Sequence, residues 1–150
     1  MKLIKKIGVL LLLVFVGIQF IPAERNEGAP VSLSDFMTVY EVPKHIEKSL
    51  KVSCYDCHSN HTAYPWYNKI QPVAWFLEGH IEEAKEELNF SVFGDYSKRR
   101  QKNKLKSIGK EIRKDKMPLW SYTLLHNDAK LSEKEKLELE EWFLNLRDSL

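Results

Sequence analysis

Cys54, Cys57 and His58, within "VSCYDCHSNHTAYPWY" at positions 52–67, are the residues whose types and spacing can do chemistry. Two thiols three residues apart on one turn reach both vinyl groups of a porphyrin, and the next residue then offers an imidazole to the iron. C-x-x-C-H is the signature of that attachment. The same side chains can instead form a redox dithiol, part of a zinc site, or a disulfide. A redox C-x-x-C is expected after a strand and at the opening of a helix in a βαβ pattern, and no such pattern flanks this one. With His61 as a fourth ligand, C-x-x-C-H-x-x-H is crowded compared with the usual separation between pairs of zinc ligands.

These residues are expected outside the cytoplasm. Lys2, Lys5 and Lys6 precede an apolar run over 7–21, interrupted only by Gly8, Gly17 and Gln19. That is the layout of an export signal or a signal anchor, with everything after it on the far side of the membrane. Ala23 is the only small residue placed for cleavage, and Ile21 is not the small residue an A-x-A site wants, so an uncleaved anchor is expected. A helix over 7–23 would be about 25 Å long, against an apolar bilayer core of about 30 Å. On the exported side, free thiols pair or are modified, and haem attachment consumes both.

The organisation is expected as a signal or anchor at 1–23, a linker at 24–33 rich in Pro, Gly and charge, and one folded domain at 34–150. Of the 150 residues, 43% are hydrophobic, enough for a core. Periodicity is helical throughout, which predicts an all-α fold. One helix is expected after Pro43, with Val42, Ile46 and Leu50 on a stripe. A second opens at Pro72 and is expected to bury Val73, Phe76, Leu77, Ile81, Ala84 and Leu88. A third, from Ser97 to Asp115, is stopped by Met117-Pro118. A last begins at Ser132 with a capping box completed by Glu135, burying Leu139, Trp142, Phe143 and Leu146.

About 15 residues without a helical pattern separate the last two helices, a length that usually has a functional reason. Met117 stands there beside a rigid proline, 59 positions after His58, far enough to return over the opposite face of a haem. Met37 stands in a weaker context, and His80, His126, His61 and His45 are the alternative sixth ligands. His58 is expected to donate its second ring N–H to a carbonyl, such as that of Pro65 or Pro72. Tyr64, Trp66 and Tyr67 are candidates to wall the porphyrin.

The order of helix, "CYDCH", acidic helix, "KMP" loop and C-terminal helix resembles a small monohaem cytochrome c. More closely, "SCYDCHSNHTAYPWYNKIQPVAWFLEGHIEEAKEELNFS" and "MPLWSYTLLHNDAKLSEKEKLELEEWF" resemble the haem-binding domain family of short, membrane-anchored bacterial proteins. The resemblance implies a cytochrome c-like helical domain around one covalent haem c. It implies thioethers at Cys54 and Cys57, iron ligands at His58 and Met117, and a place on the periplasmic side of the inner membrane.

The function expected is single-electron transfer, not catalysis, because two axial protein ligands leave no open coordination position. A gas or peroxide sensor, or a peroxidase-like protein with a displaceable distal ligand, and an exported C-x-x-C dithiol oxidoreductase are the competing classes. The net charge of +2 conceals segregation: the stretch opening at Lys98 and closing at Lys116 carries ten Lys and Arg against Glu111 and Asp115. Such a patch can steer a redox protein partner or meet anionic lipid, and nucleic acid is not expected on the exported side.

Overall fold

The computed structural model describes residues 2–29 and 32–150. Met1 and positions 30 and 31, which fall within the expected signal and linker segments, lie outside the described residues. In chain order the α-helices are α1 (Lys2–Ile18), α2 (Phe36–Val39), α3 (Lys44–Ser53), α4 (Tyr55–His58), α5 (Val73–Glu87), α6 (Lys98–Arg113), α7 (Trp120–Leu125) and α8 (Glu133–Ser149). Three 3₁₀ turns, at Trp66–Lys69, Phe90–Asp95 and Asn127–Ala129, connect them. The class is all-α: among the described residues there is no strand, only an isolated antiparallel bridge between Glu27 and His61.

α1 buries none of its residues. Its 17 residues reach about 25 Å at 1.5 Å per residue, and among the described residues no helix is long and apolar enough to cross a membrane. The described residues therefore hold no spanning helix where one is expected. The helix stops at Ile18 because Gln19, Phe20 and Ile21 turn back by i→i−3 bonds onto Val16, Gly17 and Ile18. Gln19 then pairs with the backbone of Gln71, accepting from its N–H at 2.9 Å and donating to its carbonyl at 3.1 Å.

The core joins Phe36, Ile46, Leu50, Phe90, Phe93, Leu105, Ile112, Leu139 and Phe143 in one cluster, with Cys54 and Tyr55 packed against it. α6 and α8 lie side by side. At Gly109 a Cβ would stand 3.4 Å from Glu140 Cγ, an ordinary packing contact between the two helices. α8 starts as its sequence predicts: the Ser132 hydroxyl accepts from Glu135 N–H, and the Glu135 carboxylate accepts from Ser132 N–H at 2.8 Å. Its buried stripe is Leu139 and Phe143, with Trp142 and Leu146 half-buried. Each fully buried side chain of that size contributes roughly 1.5–3 kcal/mol.

α5 differs from its predicted face. Ala74, Ile81 and Leu88, seven residues apart, face inward, while Val73 and Phe76 are exposed, Phe76 by 65%. The apolar positions of α5 exceed what one contact can cover, and Ile81 with its heptad neighbours takes it.

Candidate functional site

The cysteine motif sits where two helices meet. Cys54 N–H donates to Leu50 O at 3.0 Å, closing α3. The Cys54 carbonyl accepts from Cys57 N–H at 3.2 Å and His58 N–H at 2.9 Å, opening α4. Both cysteines are half-buried free thiols lying on one helical turn. Withdrawal from water pushes the Cys54 thiol up to about 12, with Cys57 adding to the effect. Burial, reinforced by the Asp56 carboxylate, pushes Cys57 up to about 11. Reactive dithiols depend on the opposite shift, toward a stable thiolate.

The His58 ring is held by the end of α5. Its Nδ1 lies 2.9 Å from Ala84 O and 3.0 Å from Leu88 O. A carbonyl oxygen only accepts, so Nδ1 carries the hydrogen. Burial lowers the pKa of the ring, and the neutral tautomer leaves the lone pair on Nε2. Ala84 O already accepts the capping N–H of Leu88 at 2.9 Å and gives its second lone pair to His58, while Leu88 O belongs to the C-cap just past α5. The expected acceptors are corrected: Pro65 O takes the N–H of Asn68 and Pro72 O that of Phe76. The edge of His58 meets Phe90 at 6.4 Å between ring centres, and Phe90 stacks on Tyr55 at 5.0 Å.

Met117 is delivered by the way α6 ends. Asp115 adopts a left-handed φ of 55°, Lys116 N–H reaches Glu111 O at 3.0 Å, and Asp115 N–H reaches Ile112 O at 3.1 Å. This paired closure at a left-handed residue is a Schellman motif, and it reverses the chain immediately before Met117. The helix therefore stops at Arg113 by its own C-cap, two residues earlier than predicted and ahead of Pro118.

Cys54, His58 and Met117 line one largely apolar cavity of about 360 Å³, walled by Leu88, Phe90, Ile108 and Ile112. Lys104 and Glu87, paired at 3.5 Å, stand at its polar edge. Cys57 is not among its lining residues, and neither is any of the four alternative histidines. His61 Nδ1 lies 3.3 Å from Gly28 O, and His80 Nδ1 lies 2.9 Å from Phe76 O. His126 pairs with Tyr67 and stacks on Tyr122, and His45 is exposed. Among the described residues no three His, Cys, Asp or Glu gather to hold a metal ion, which leaves the zinc reading without support.

The aromatics named from "YPWY" also stand away from the cavity. The Tyr64 hydroxyl accepts from Asn26 N–H and donates to Glu78 at 2.8 Å, and burial pushes it up to about 12. Trp66 is 74% exposed. The Tyr67 hydroxyl lies 2.8 Å from His126 Nε2. Three contributors escaped the sequence reading: Ala84 and Leu88, whose backbone orients His58, and Tyr122, whose hydroxyl donates to Asp56. Asp56 lay within the motif and Tyr122 within the long loop, but nothing in their spacing pairs them.

The donor set fits a haem. It offers two unpaired thiols on one turn and a neutral imidazole with a free Nε2, and a thioether opens into the same apolar cavity as Cys54 and His58. The family model described as "Haem-binding domain" matches residues 13–145. The curated proteins and the solved structures yielded no match.

Proposed function

The chain belongs to the haem-binding domain family, and on that premise we propose that it is a monohaem c-type cytochrome passing single electrons on the exported side of a membrane. The observation that carries this reading is that Cys54, His58 and Met117 line one apolar cavity while His58 Nδ1–H is tied to two carbonyls. Cys54 and Cys57 would hold the porphyrin through thioethers, and His58 Nε2 and the Met117 thioether would ligate the iron. The bound haem supplies an iron that cycles between Fe(III) and Fe(II). The carbonyls of Ala84 and Leu88 fix the imidazole tautomer and its orientation, and hydrogen bonding of that kind tunes an axial ligand. Leu88, Phe90, Ile108 and Ile112 exclude water from the cavity, which lowers the local dielectric and favours the less charged iron state.

Two protein ligands would leave no coordination position for a substrate, which supports transfer over catalysis. The raised thiol pKa values argue against an exported dithiol oxidoreductase. Lys2, Lys5 and Lys6 in the opening turns of α1, ahead of its exposed apolar run, support export, with α1 as a signal or an attachment to the membrane. α6 supports a docking role, because the basic helix itself walls the cavity through Lys104, Ile108 and Ile112.

Denaturing gel electrophoresis followed by a haem-peroxidase stain tests the attachment. Colour is expected to migrate with the chain and to disappear in Cys54→Ser/Cys57→Ser. Colourless protein from a strain that matures c-type haem would sink the proposal.

A further inference from the structure

We propose that residues 25–28, within the segment expected to be a linker, form a strap that positions the haem-bearing turn, with Asn26 as the positioning residue. The inference rests on the haem reading above. Asn26 spends each of its polar groups on the segment 59–64 that follows that turn, or on α5. Its N–H donates to the Tyr64 hydroxyl at 2.5 Å, and its carbonyl accepts from Thr62 N–H at 3.1 Å. Its side-chain Nδ2 donates to Ser59 O and to Thr62 Oγ1, both at 2.9 Å, and its Oδ1 accepts from Lys85 at 2.6 Å. A backbone linker has no need of such complete satisfaction; a clamp does.

The contacts converge on the motif from two directions. Thr62 Oγ1, held by Asn26, donates onward to Asp56 O at 2.6 Å, the carbonyl of the residue between Tyr55 and Cys57. Lys85 and Glu78, which hold Asn26 and Tyr64, belong to α5, and Lys85 directly follows Ala84, whose carbonyl fixes His58. The strap therefore ties the turn that carries His58 to the helix that orients the His58 ring.

Two flanking residues lock the strap in place. Gly28 N–H donates to Asn60 O at 2.7 Å, and a Cβ at Gly28 would stand 2.7 Å from that same backbone oxygen, so only glycine fits without a shift. The Arg25 guanidinium covers the Tyr64 ring at 4.3 Å. Upstream, Gln71 Nε2 donates to Ile21 O at 3.0 Å, which joins the strap's approach to the start of α5. Gln19 and Ile21 thus bond to Gln71, just before α5, while residues 25–28 bond to the segment after the haem-bearing turn and to α5.

The test uses the full-length, haem-loaded chain as parent and as Asn26→Ala, Gly28→Val and Lys85→Ala. Proton spectra of the oxidised protein report the haem methyl resonances, whose spread follows the orientation of the axial imidazole, and a potentiometric titration reports the midpoint. Asn26→Ala and Gly28→Val are expected to shift the methyl pattern and the midpoint at unchanged haem content. Lys85→Ala, which removes one bond to Asn26, is expected to shift them in the same sense by less. Methyl patterns and midpoints matching the parent in all three overturn the strap. If Asn26→Ala and Gly28→Val fail to accumulate folded protein, an unshifted Lys85→Ala overturns it alone. A parent that carries no covalent haem overturns the reading of the site and leaves the strap's failure distinguishable from it.

Discussion

Tyr122 donates its hydroxyl to Asp56 Oδ2 at 2.7 Å, joining the segment that follows Met117 to the residue just before Cys57. The two halves of the candidate iron site, far apart in sequence, thereby share one hydrogen bond outside the cavity. Burial raises the Tyr122 pKa, and the bond to Asp56 raises it further, so the phenol stays protonated as the donor. His126 supports the same joint: it stacks on Tyr122 at 4.3 Å and pairs with Tyr67 at 2.8 Å.

Removing that joint should loosen Met117 first. Tyr122→Phe keeps the ring and deletes the donor, and a hydrogen bond to a charged group contributes about 1.5–3 kcal/mol. Partial exposure of the pair puts the expected loss at about 1 kcal/mol, read from urea melts. The weak red absorption of iron–methionine ligation should then fade at a lower temperature than in the parent. Equal fading temperatures would mean that the Met117 segment is held by other contacts.

Met117 itself gives a second prediction. Met117→His should keep six ligands and lower the midpoint potential, because thioether ligation favours Fe(II) over the more basic imidazole and axial ligands span about 0.8 V across haem proteins. Met117→Ala should abolish the red band and open the reduced protein to carbon monoxide. A native protein that already binds carbon monoxide rapidly would favour the sensor class instead.

The basic helix gives a third. Lys102→Gln and Lys106→Gln together should slow electron exchange with an acidic partner and flatten its dependence on salt, since charge steering acts mainly on the association rate. Lys104 belongs in a separate variant, because it also pairs with Glu87 at the cavity edge. Unchanged rates at low ionic strength in the double variant would remove α6 as the docking surface.

The features legible in the sequence are those whose signal is local. The Ser132–Glu135 capping box spans four positions, and the pair of cysteines with His58 spans five. Met117 stood out by the end of a helix, the length of a gap and the family resemblance, and it lines the same cavity as Cys54 and His58. What escaped lies in pairings between distant positions. Asn26 meets Ser59, Thr62, Tyr64 and Lys85 across 33 to 59 residues, and no periodicity announces such bonds. α7 was missed for a related reason: its Trp120, Leu124 and Leu125 are exposed, so its six residues carry no inward stripe to read. On α5 the apolar positions were visible, but which of them face the core was decided by the neighbours of Ile81, not by the helix.

The capping box supplies a prediction with a definite pH signature. Hydrogen bonds from the Ser132 hydroxyl and backbone hold the Glu135 carboxyl below its ordinary range, against a smaller opposing effect of burial. A carboxyl whose folded pKa is depressed stabilises the fold above its unfolded value, near 4.3 for glutamate, and loses that contribution as pH falls through the folded value. Ser132→Ala should therefore cost about 1 kcal/mol at pH 7. The gap between parent and variant should narrow below about pH 4.3 as the charged form is lost. α8 carries Leu139 and Phe143 into the core against α6, the helix that walls the cavity, so the same loss should be seen in chemical melts followed by haem absorbance as well as by helix content. A gap that holds constant from pH 7 to pH 3 would show that Ser132 acts through its neutral hydroxyl alone.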